Sequence, residues 1–449
     1  MNGKINILFV AFEFPPLGGA GVQRSLKFVK YLQQFDINPI VITVNENDYP
    51  SVMPGHAMDY TLLNDIPHGT VIEKFHCKTK PPAKNKLEEW ASIYFSVTEN
   101  FKDYWREDLS KGLPGIIDKY KPQAIYISLP PFAMAPLWLD LLKDYELPLI
   151  VDFRDAWTQW NIAPNGSYIH YCIKLQQERH ILNRAGRVVC SSDQTMKDMV
   201  RVHPAVDKNK FSVITNGYDR AIDINGNLFI SNNSKIKIGY VGSFYYTPEA
   251  RELIFKPWWR KPLHRMLNYV PRKEDWLYRS PYFFFKTIRS LIDSDPSLNE
   301  RIEIHFAGQK PGWLVSQIES FGLNEICYHH GYLHHDDVIT FQQQCDTLLI
   351  TSAKVPGGRD FSIAGKTFEY FSIGKPILAF VCEGSQKDIL VETGMSVICD
   401  PDDVYASGKL VKKLFDGMLV LHPDKIAIEK YHRKNLTQKL AGLIKELVS

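Results

Sequence analysis

The sequence predicts two tandem α/β domains, each a doubly wound parallel sheet, and three observations point that way. The chain has 449 residues, about three times the size of a typical domain, so two or three sizeable cores are expected. Short apolar, β-branched runs alternate with longer amphipathic stretches, the rhythm of βα units whose sheet is covered on both faces. That rhythm breaks once, at the polar stretch Asp223 to Ser234 with its Asn-Gly-Asn and Ser-Asn-Asn, and then restarts, as two domains joined by a linker would.

The first series of strand-like runs is Ile5 to Phe12, Pro39 to Val44, Val71 to Phe75, Ala124 to Ser128, Leu149 to Phe153, Val188 to Ser191 and Phe211 to Thr215. Helical patterns at Val22 to Phe35, Phe132 to Tyr145, Ile169 to Ala185 and Gln194 to Val202 fall between them, giving a first domain over 1–222. The second series is Ile236 to Gly242, Ile302 to Ala307, Thr347 to Thr351, Pro376 to Val381 and Val397 to Cys399, giving a second domain over 235–424. The last stretch, Lys425 to Val448, carries Ile426, Ile428, Leu436, Leu440, Leu443 and Leu447 near helical spacing and reads as one surface helix. Two such domains bind ligands beyond the carboxyl ends of their strands, which places the expected site between them.

Composition excludes several classes. Apolar residues make 45% and charged residues 23%, ordinary globular usage rather than disordered or fibrous. A net charge of +3 gives no overall footprint for duplex nucleic acid, so no nucleic-acid partner is expected. The seven cysteines are never close enough for a CxxC pair and suit reduced thiols in the cytoplasm. The apolar run Ile5 to Phe12 leads into Glu13-Phe14-Pro15-Pro16 without a cleavage site, so it reads as the first buried strand rather than a signal peptide. No apolar stretch reaches the roughly 18 residues of a spanning helix.

Three segments carry chemistry. The loop Pro15-Pro16-Leu17-Gly18-Gly19-Ala20-Gly21 lies between the first strand and a helix, where backbone amides and the helix dipole attract a phosphate or carboxylate. A dinucleotide fingerprint is a poor competitor, because its third glycine would fall on Arg24. Asp152-Phe153-Arg154-Asp155-Ala156-Trp157 ends a central strand. Charges there are either paired structurally through Arg154 or, at Asp152 or Asp155, turned to chemistry. In Gly365-Lys366-Thr367-Phe368-Glu369, Lys366 and Glu369 share a helix face, so the cation can meet phosphate while the carboxylate holds vicinal hydroxyls. His329, His330, His334 and His335 read as a loop before a helix, and no metal ligand is assigned.

Residues 249–289 stand apart. They hold ten Lys or Arg against four acids, a net +6 that leaves −3 for the rest of the chain, together with ten aromatics including Trp258, Trp259 and Trp276. Two readings remain open: a basic aromatic surface for an anionic membrane, a lipid-linked acceptor or stacked sugars, or an inserted hairpin whose aromatics pack on the second domain.

These landmarks in this order, with Asn216-Gly217-Tyr218-Asp219, Gly239-Tyr240-Val241-Gly242-Ser243 and Gly374-Lys375-Pro376, resemble glycosyltransferase family 4, the retaining nucleotide-sugar glycosyltransferases of GT-B fold. The resemblance covers nearly the whole chain. It implies two Rossmann-like domains facing across a cleft, a nucleoside-diphosphate sugar as co-substrate with no other cofactor, and a glycan or lipid-linked hydroxyl acceptor at the inner face of a membrane. It places Gly18 and Gly19 at the donor diphosphate or a bound acceptor, Gly242, Ser243, Lys366, Thr367 and Glu369 at the donor, and Asp155 and Lys366 in catalysis, while the basic aromatic segment puts Trp258, Trp259 and Arg260 on the acceptor or membrane side. It also implies that the last helix returns to the first domain. Two positions depart from the family: Phe361, with Asp360 beside it, stands eight before Glu369 where many members have Glu, and Ser243 stands where many have Arg, with Arg251 a weaker substitute. A nucleotide- or sugar-binding protein without turnover is the alternative these departures leave. A nicotinamide-dependent oxidoreductase rests on Gly19-x-Gly21 alone.

Overall fold

A computed structural model describes residues 4–78, 84–88, 102–159, 164–222, 224, 226–230 and 235–449. Residues 223, 225 and 231–234 of the expected linker thus lie outside the described residues. The chain divides into two compact units. The first comprises Met1–Asn216, Pro257–Pro271 and Arg433–Ser449, and the second Gly217–Lys256 and Arg272–His432.

The first unit is built on seven strands: β1 (Ile5–Val10), β2 (Ile37–Val44), β3 (Val71–Phe75), β4 (Ala124–Leu129), β5 (Leu149–Phe153), β6 (Arg187–Cys190) and β7 (Phe211–Val213). All pair parallel in the order β3-β2-β1-β4-β5-β6-β7. The central runs, such as Leu8-Phe9-Val10 and Ile40-Val41-Ile42, are apolar on successive positions because both faces are covered. Leu8, Val10, Ile40 and Ile42 pack with Trp105 and Trp138 on one side. Ile7, Phe9, Val41 and Tyr126 pack on the other with Leu436, Leu440 and Ile444 of the helix Arg433–Val448. Chain order reverses between β1 and β4, which leaves an opening beyond their carboxyl ends, where ligands of such sheets bind.

The second unit repeats the plan with six parallel strands: β8 (Ile236–Val241), β9 (Ile302–Ala307), β10 (Cys327–His329), β11 (Thr347–Thr351), β12 (Ile377–Phe380) and β13 (Ser396–Cys399). Their order is β10-β9-β8-β11-β12-β13, with the reversal between β8 and β11. Phe284, Phe285 and Ile288 cover one face of the sheet, and Phe368 and Phe371 the other.

Two local readings change. β10 is an edge strand of three residues that the apolar pattern did not show. It forms because Cys327, Tyr328 and His329 fall into register with Ile304, His305 and Phe306. The stretch Lys425 to Val448 is two helices, Lys425–Glu429 and Arg433–Val448, rather than one. Between them Tyr431 packs on Phe368 and Phe371, and its carbonyl accepts the Tyr218 N–H at 3.1 Å.

Segment 249–289 also divides. Phe284 and Phe285 are core residues of the second unit, whereas residues 257–271 group with the first. There Asn165 and Tyr269 exchange backbone hydrogen bonds of 2.9 and 3.0 Å, and the Tyr269 ring packs between Tyr168 and Tyr171.

Candidate functional site

In the first unit the loop after β1 is pinned before it reaches the helix Ala20–Leu32. Gly18 N–H donates to the Ala57 carbonyl at 2.8 Å and Asp59 N–H to that of Pro16 at 2.7 Å. Gly18 therefore shapes the loop, and its amide is engaged within it. Gly19 is different. It is exposed and caps the helix at φ 116°, a conformation open to glycine, with no side chain satisfying the first amides. Its 13-residue helix brings the positive end of its dipole to that point.

The charged run after β5 sorts its members. Asp152 is fully buried, accepts two 2.7 Å bonds from the Arg24 guanidinium and a 2.6 Å bond from the Tyr126 hydroxyl, and so belongs to the sheet's interior. Arg24, the position where a dinucleotide motif would need glycine, also donates to the carbonyls of Ile214 and Thr215 at 2.7 Å. Arg154 pairs with Glu13 at 3.0 Å and donates to the Pro130 carbonyl. Burial works against its charge, but Glu13 and then Asp155 and Asp152 outweigh it and hold its pKa above the usual arginine value. Asp155 stands half-buried just past the strand, one residue beyond this pair. Of the two aspartates the sequence left open, Asp152 is thus structural.

In the second unit β8 ends at Gly242, whose N–H donates to the Ala307 carbonyl at 2.7 Å. A Cβ on Gly308 would fall 2.5 Å from the Gly242 carbonyl oxygen, so β8 and β9 end in a close approach that two glycines allow. Lys366 enters this corner from the first turn of the helix Gly365–Ile373, which has no side-chain N-cap. Its Nζ lies 3.6 Å over the Tyr240 ring, 3.4 Å from where a Gly242 Cβ would be, enclosed and without a hydrogen-bond partner among the described residues, although the residue as a whole is half-buried. Burial pushes its pKa down to about 7, with Glu369 opposing. Glu369, one turn along, is exposed.

Thr367 faces inward. Its side chain is fully buried and its hydroxyl exchanges hydrogen bonds of 3.1 and 2.9 Å with the Gln386 amide, while its N–H donates to Ala364. It ties two helices together and is not turned to a ligand. Thr367→Val is expected to lower the second unit's stability by about 1–3 kcal/mol in urea unfolding, since it leaves a buried amide partly unpaired. Nucleotide affinity, by calorimetry, should stay within about twofold.

The two departures from the family pattern also find places. Arg251 is engaged with Asp275 through two bonds of 2.6 and 2.7 Å, so it does not stand in for the arginine that Ser243 replaces. The Phe361 ring is buried under the Arg272 guanidinium, 5.0 Å away. Asp360 is buried too, accepting from Ala353 N–H at 3.2 Å and Ser362 N–H at 3.0 Å. Arg279 lies 3.6 Å from Asp360, donates to the Ser362 hydroxyl, and acts electrostatically on the Tyr240 hydroxyl. Sequence reasoning passed over Tyr240 and Arg279; an aromatic two residues before the Gly242 turn was the one available signal.

Fold and site together define a class, the GT-B architecture of two Rossmann-like α/β domains. Residues 282–432 match the family model Glycosyl transferases group 1. No curated protein sequence matches the chain. Among solved structures, Anabaena Alr3699/HepE in complex with UDP and glucose superposes with a TM-score of 0.55 at 14% identity, covering 98% of this chain and 100% of that one. The lipopolysaccharide outer core galactosyltransferase WaaB, in apo form, gives 0.57 at 12% identity, covering 98% and 99%. Sucrose-phosphate synthase (tll1590) from Thermosynechococcus elongatus gives 0.57 at 10%, covering 99% of each. At these identities the likeness is one of fold.

Proposed function

We propose that the protein is a glycosyltransferase that moves a sugar from a nucleoside-diphosphate sugar to a hydroxyl acceptor with retention at the anomeric carbon. One observation carries the reading. Lys366 holds an enclosed, unpartnered ammonium beside Gly242 and at the uncapped start of a helix, inside the stretch matched by the glycosyltransferase family model. A desolvated cation with no hydrogen-bonded counter-ion among the described residues is a cost the fold bears for an anion to come.

In this reading the diphosphate lies against Gly242, Ser243 and Lys366, and Glu369 holds the ribose hydroxyls. The bond from the anomeric carbon to the diphosphate oxygen breaks, and the acceptor oxygen bonds to that carbon on the same face. The acceptor's proton passes to the departing phosphate oxygen. Negative charge grows on the diphosphate in the transition state, where Lys366 and the first amides of its helix stabilise it, so the scheme calls on no metal ion. Gly19 and Asp155 serve the acceptor side, Asp155 orienting the hydroxyl. The acceptor class we favour is a cell-surface polysaccharide or lipid-linked glycan at the cytoplasmic face of a membrane.

The test is a thermal-shift panel of UDP, GDP, ADP, TDP and CMP with NAD and NADP as controls, because a ligand of the native state raises the melting temperature. A rise with one diphosphate alone supports the reading and identifies the base. A rise with NAD alone, or with none, overturns it. Donor hydrolysis without acceptor then separates a transferase from a binding protein without turnover. Asp155→Asn is expected to lower the transfer rate about 100-fold with donor affinity unchanged; full transfer by this variant would remove Asp155 from the mechanism.

A further inference from the structure

We infer that residues 257–271, together with Tyr168 and Ile169, form a docking surface for an anionic phospholipid bilayer. The segment Pro257-Trp258-Trp259-Arg260-Lys261-Pro262-Leu263-His264-Arg265-Met266-Leu267 contains three Lys or Arg and no acid. Trp258 is 60% exposed, Trp259 64%, Leu263 78% and Leu267 63%, and Tyr168 and Ile169 beside Tyr269 are 59% and 70% exposed. Large apolar side chains rarely gather in the open on a soluble surface without a partner.

The chemistry selects the partner. Tryptophan and tyrosine favour the headgroup level of a bilayer, and arginine and lysine beside them favour its anionic lipids. Residues 257–271 carry three Lys or Arg and no acid, which equals the +3 of the whole chain, so the remainder is neutral overall and the excess positive charge lies in this patch.

The patch is also held in place. The paired Asn165 and Tyr269 backbone bonds and the packing of Tyr269 against Tyr168 and Tyr171 fix the segment's end to the first unit. Trp258 and Trp259 pack edge to face at 5.9 Å, so these anchors lose little freedom on binding. No helix among the described residues is long and apolar enough to cross a membrane, which makes attachment at the interface the mode this surface can serve. That the bilayer also presents the acceptor rests on the reading proposed above; the docking itself does not.

The experiment is sedimentation of the full chain with vesicles of phosphatidylcholine alone and of phosphatidylcholine with about a third phosphatidylglycerol, at low and high salt. Binding to the anionic vesicles, about thirtyfold above the neutral ones for the two exposed arginines and weakened by salt, is expected. Trp258→Ser/Trp259→Ser should reduce it at least about tenfold, and Arg260→Glu/Arg265→Glu should abolish the anionic preference. All four side chains are solvent-exposed, and Leu263→Ser/Leu267→Ser provides a second, independent pair. Equal partition to both vesicles, or variants that bind like the parent, overturns the inference. If the tryptophan pair instead abolishes self-association while no vesicle is bound, the patch joins copies of this chain and the inference fails. The nucleotide-induced thermal shift is read in parallel: a shift without vesicle binding sinks this inference alone, and vesicle binding without a shift sinks the donor reading alone.

Discussion

Binding of a nucleoside-diphosphate sugar is expected to take up about 0.9 proton at pH 8 and about 0.1 at pH 6, and Lys366 is the reason. Burial pushes the Lys366 ammonium down to about 7, so the empty site is mostly neutral at pH 8 and mostly charged at pH 6. A diphosphate beside Nζ supplies the missing counter-charge and returns the pKa toward its ordinary value, which requires a proton from solvent when the amine was neutral. Donor affinity should accordingly fall about tenfold per pH unit above 7. Calorimetry in two buffers of different ionisation enthalpy measures the uptake directly. A nucleoside-diphosphate sugar is the right probe because its diphosphate has no proton to exchange near neutrality. Lys366→Met should lose both the uptake and most of the affinity; binding by the parent with no uptake at pH 8 would remove Lys366 from the diphosphate site.

The same group has a consequence for stability, with a definite sign. Its folded pKa of about 7 lies below the ordinary lysine value of 10.5, so between those values the unfolded chain holds the proton that the native state has released. Stability therefore rises with pH across that window, relative to Lys366→Met, in which this contribution is absent. Donor affinity and stability respond to pH in opposite directions, a pairing that a surface lysine in a solvated ion pair would not produce.

What the sequence could and could not convey follows from which interactions are local. The strands β1, β2, β4 and β5 were legible because a sheet covered on both faces gives runs of successive apolar residues, as in Ile7–Val10 and Ala124–Ile127. β10 was not, because Cys327-Tyr328-His329 has no apolar run and becomes a strand through its register with β9. The helical spacing from Ile426 to Leu447 carries no mark of the break at 430–432, since what interrupts it is Tyr431 entering a cluster with Phe368 and Phe371, far away in sequence. At the site, the Lys366 and Glu369 pair was legible from helical spacing. The inward face of Thr367, adjacent to Lys366, is not legible because adjacency says nothing about the face occupied, and its partner Gln386 lies on another helix. Asp152 and Asp155 could not be told apart from sequence, as the residue that claims Asp152 is Arg24, 128 positions earlier. Counting charge and aromatics over 249–289 joined residues that serve different ends: Phe284 and Phe285 build a core while Trp258 and Trp259 face solvent.

The largest loss of stability is expected at that distant pair. Arg24 and Asp152 are both buried, and the guanidinium donates to both carboxylate oxygens and to the carbonyls of Ile214 and Thr215, while Tyr126 donates to the same carboxylate. Arg24→Met leaves an aspartate charge inside the sheet with one hydroxyl as its remaining side-chain donor, at a cost of about 3–5 kcal/mol. For a unit of this size that corresponds to a fall of roughly 10 °C in its melting temperature. Tyr126→Phe removes one hydrogen bond and keeps the pair, so about 1–2 kcal/mol is expected. The decisive variant is Arg24→Met/Asp152→Leu. If the loss in Arg24→Met comes from an uncompensated charge, the double variant recovers most of it, because a buried ion pair replaced on both sides by apolar groups costs little. If the pair instead holds the helix Ala20–Leu32 to β5 and β7 by its geometry, the double variant stays as unstable as the single one. Urea unfolding of the three variants decides between charge and geometry. The second outcome would mean that the position of Gly19 at the start of that helix depends on a salt bridge five residues further along it.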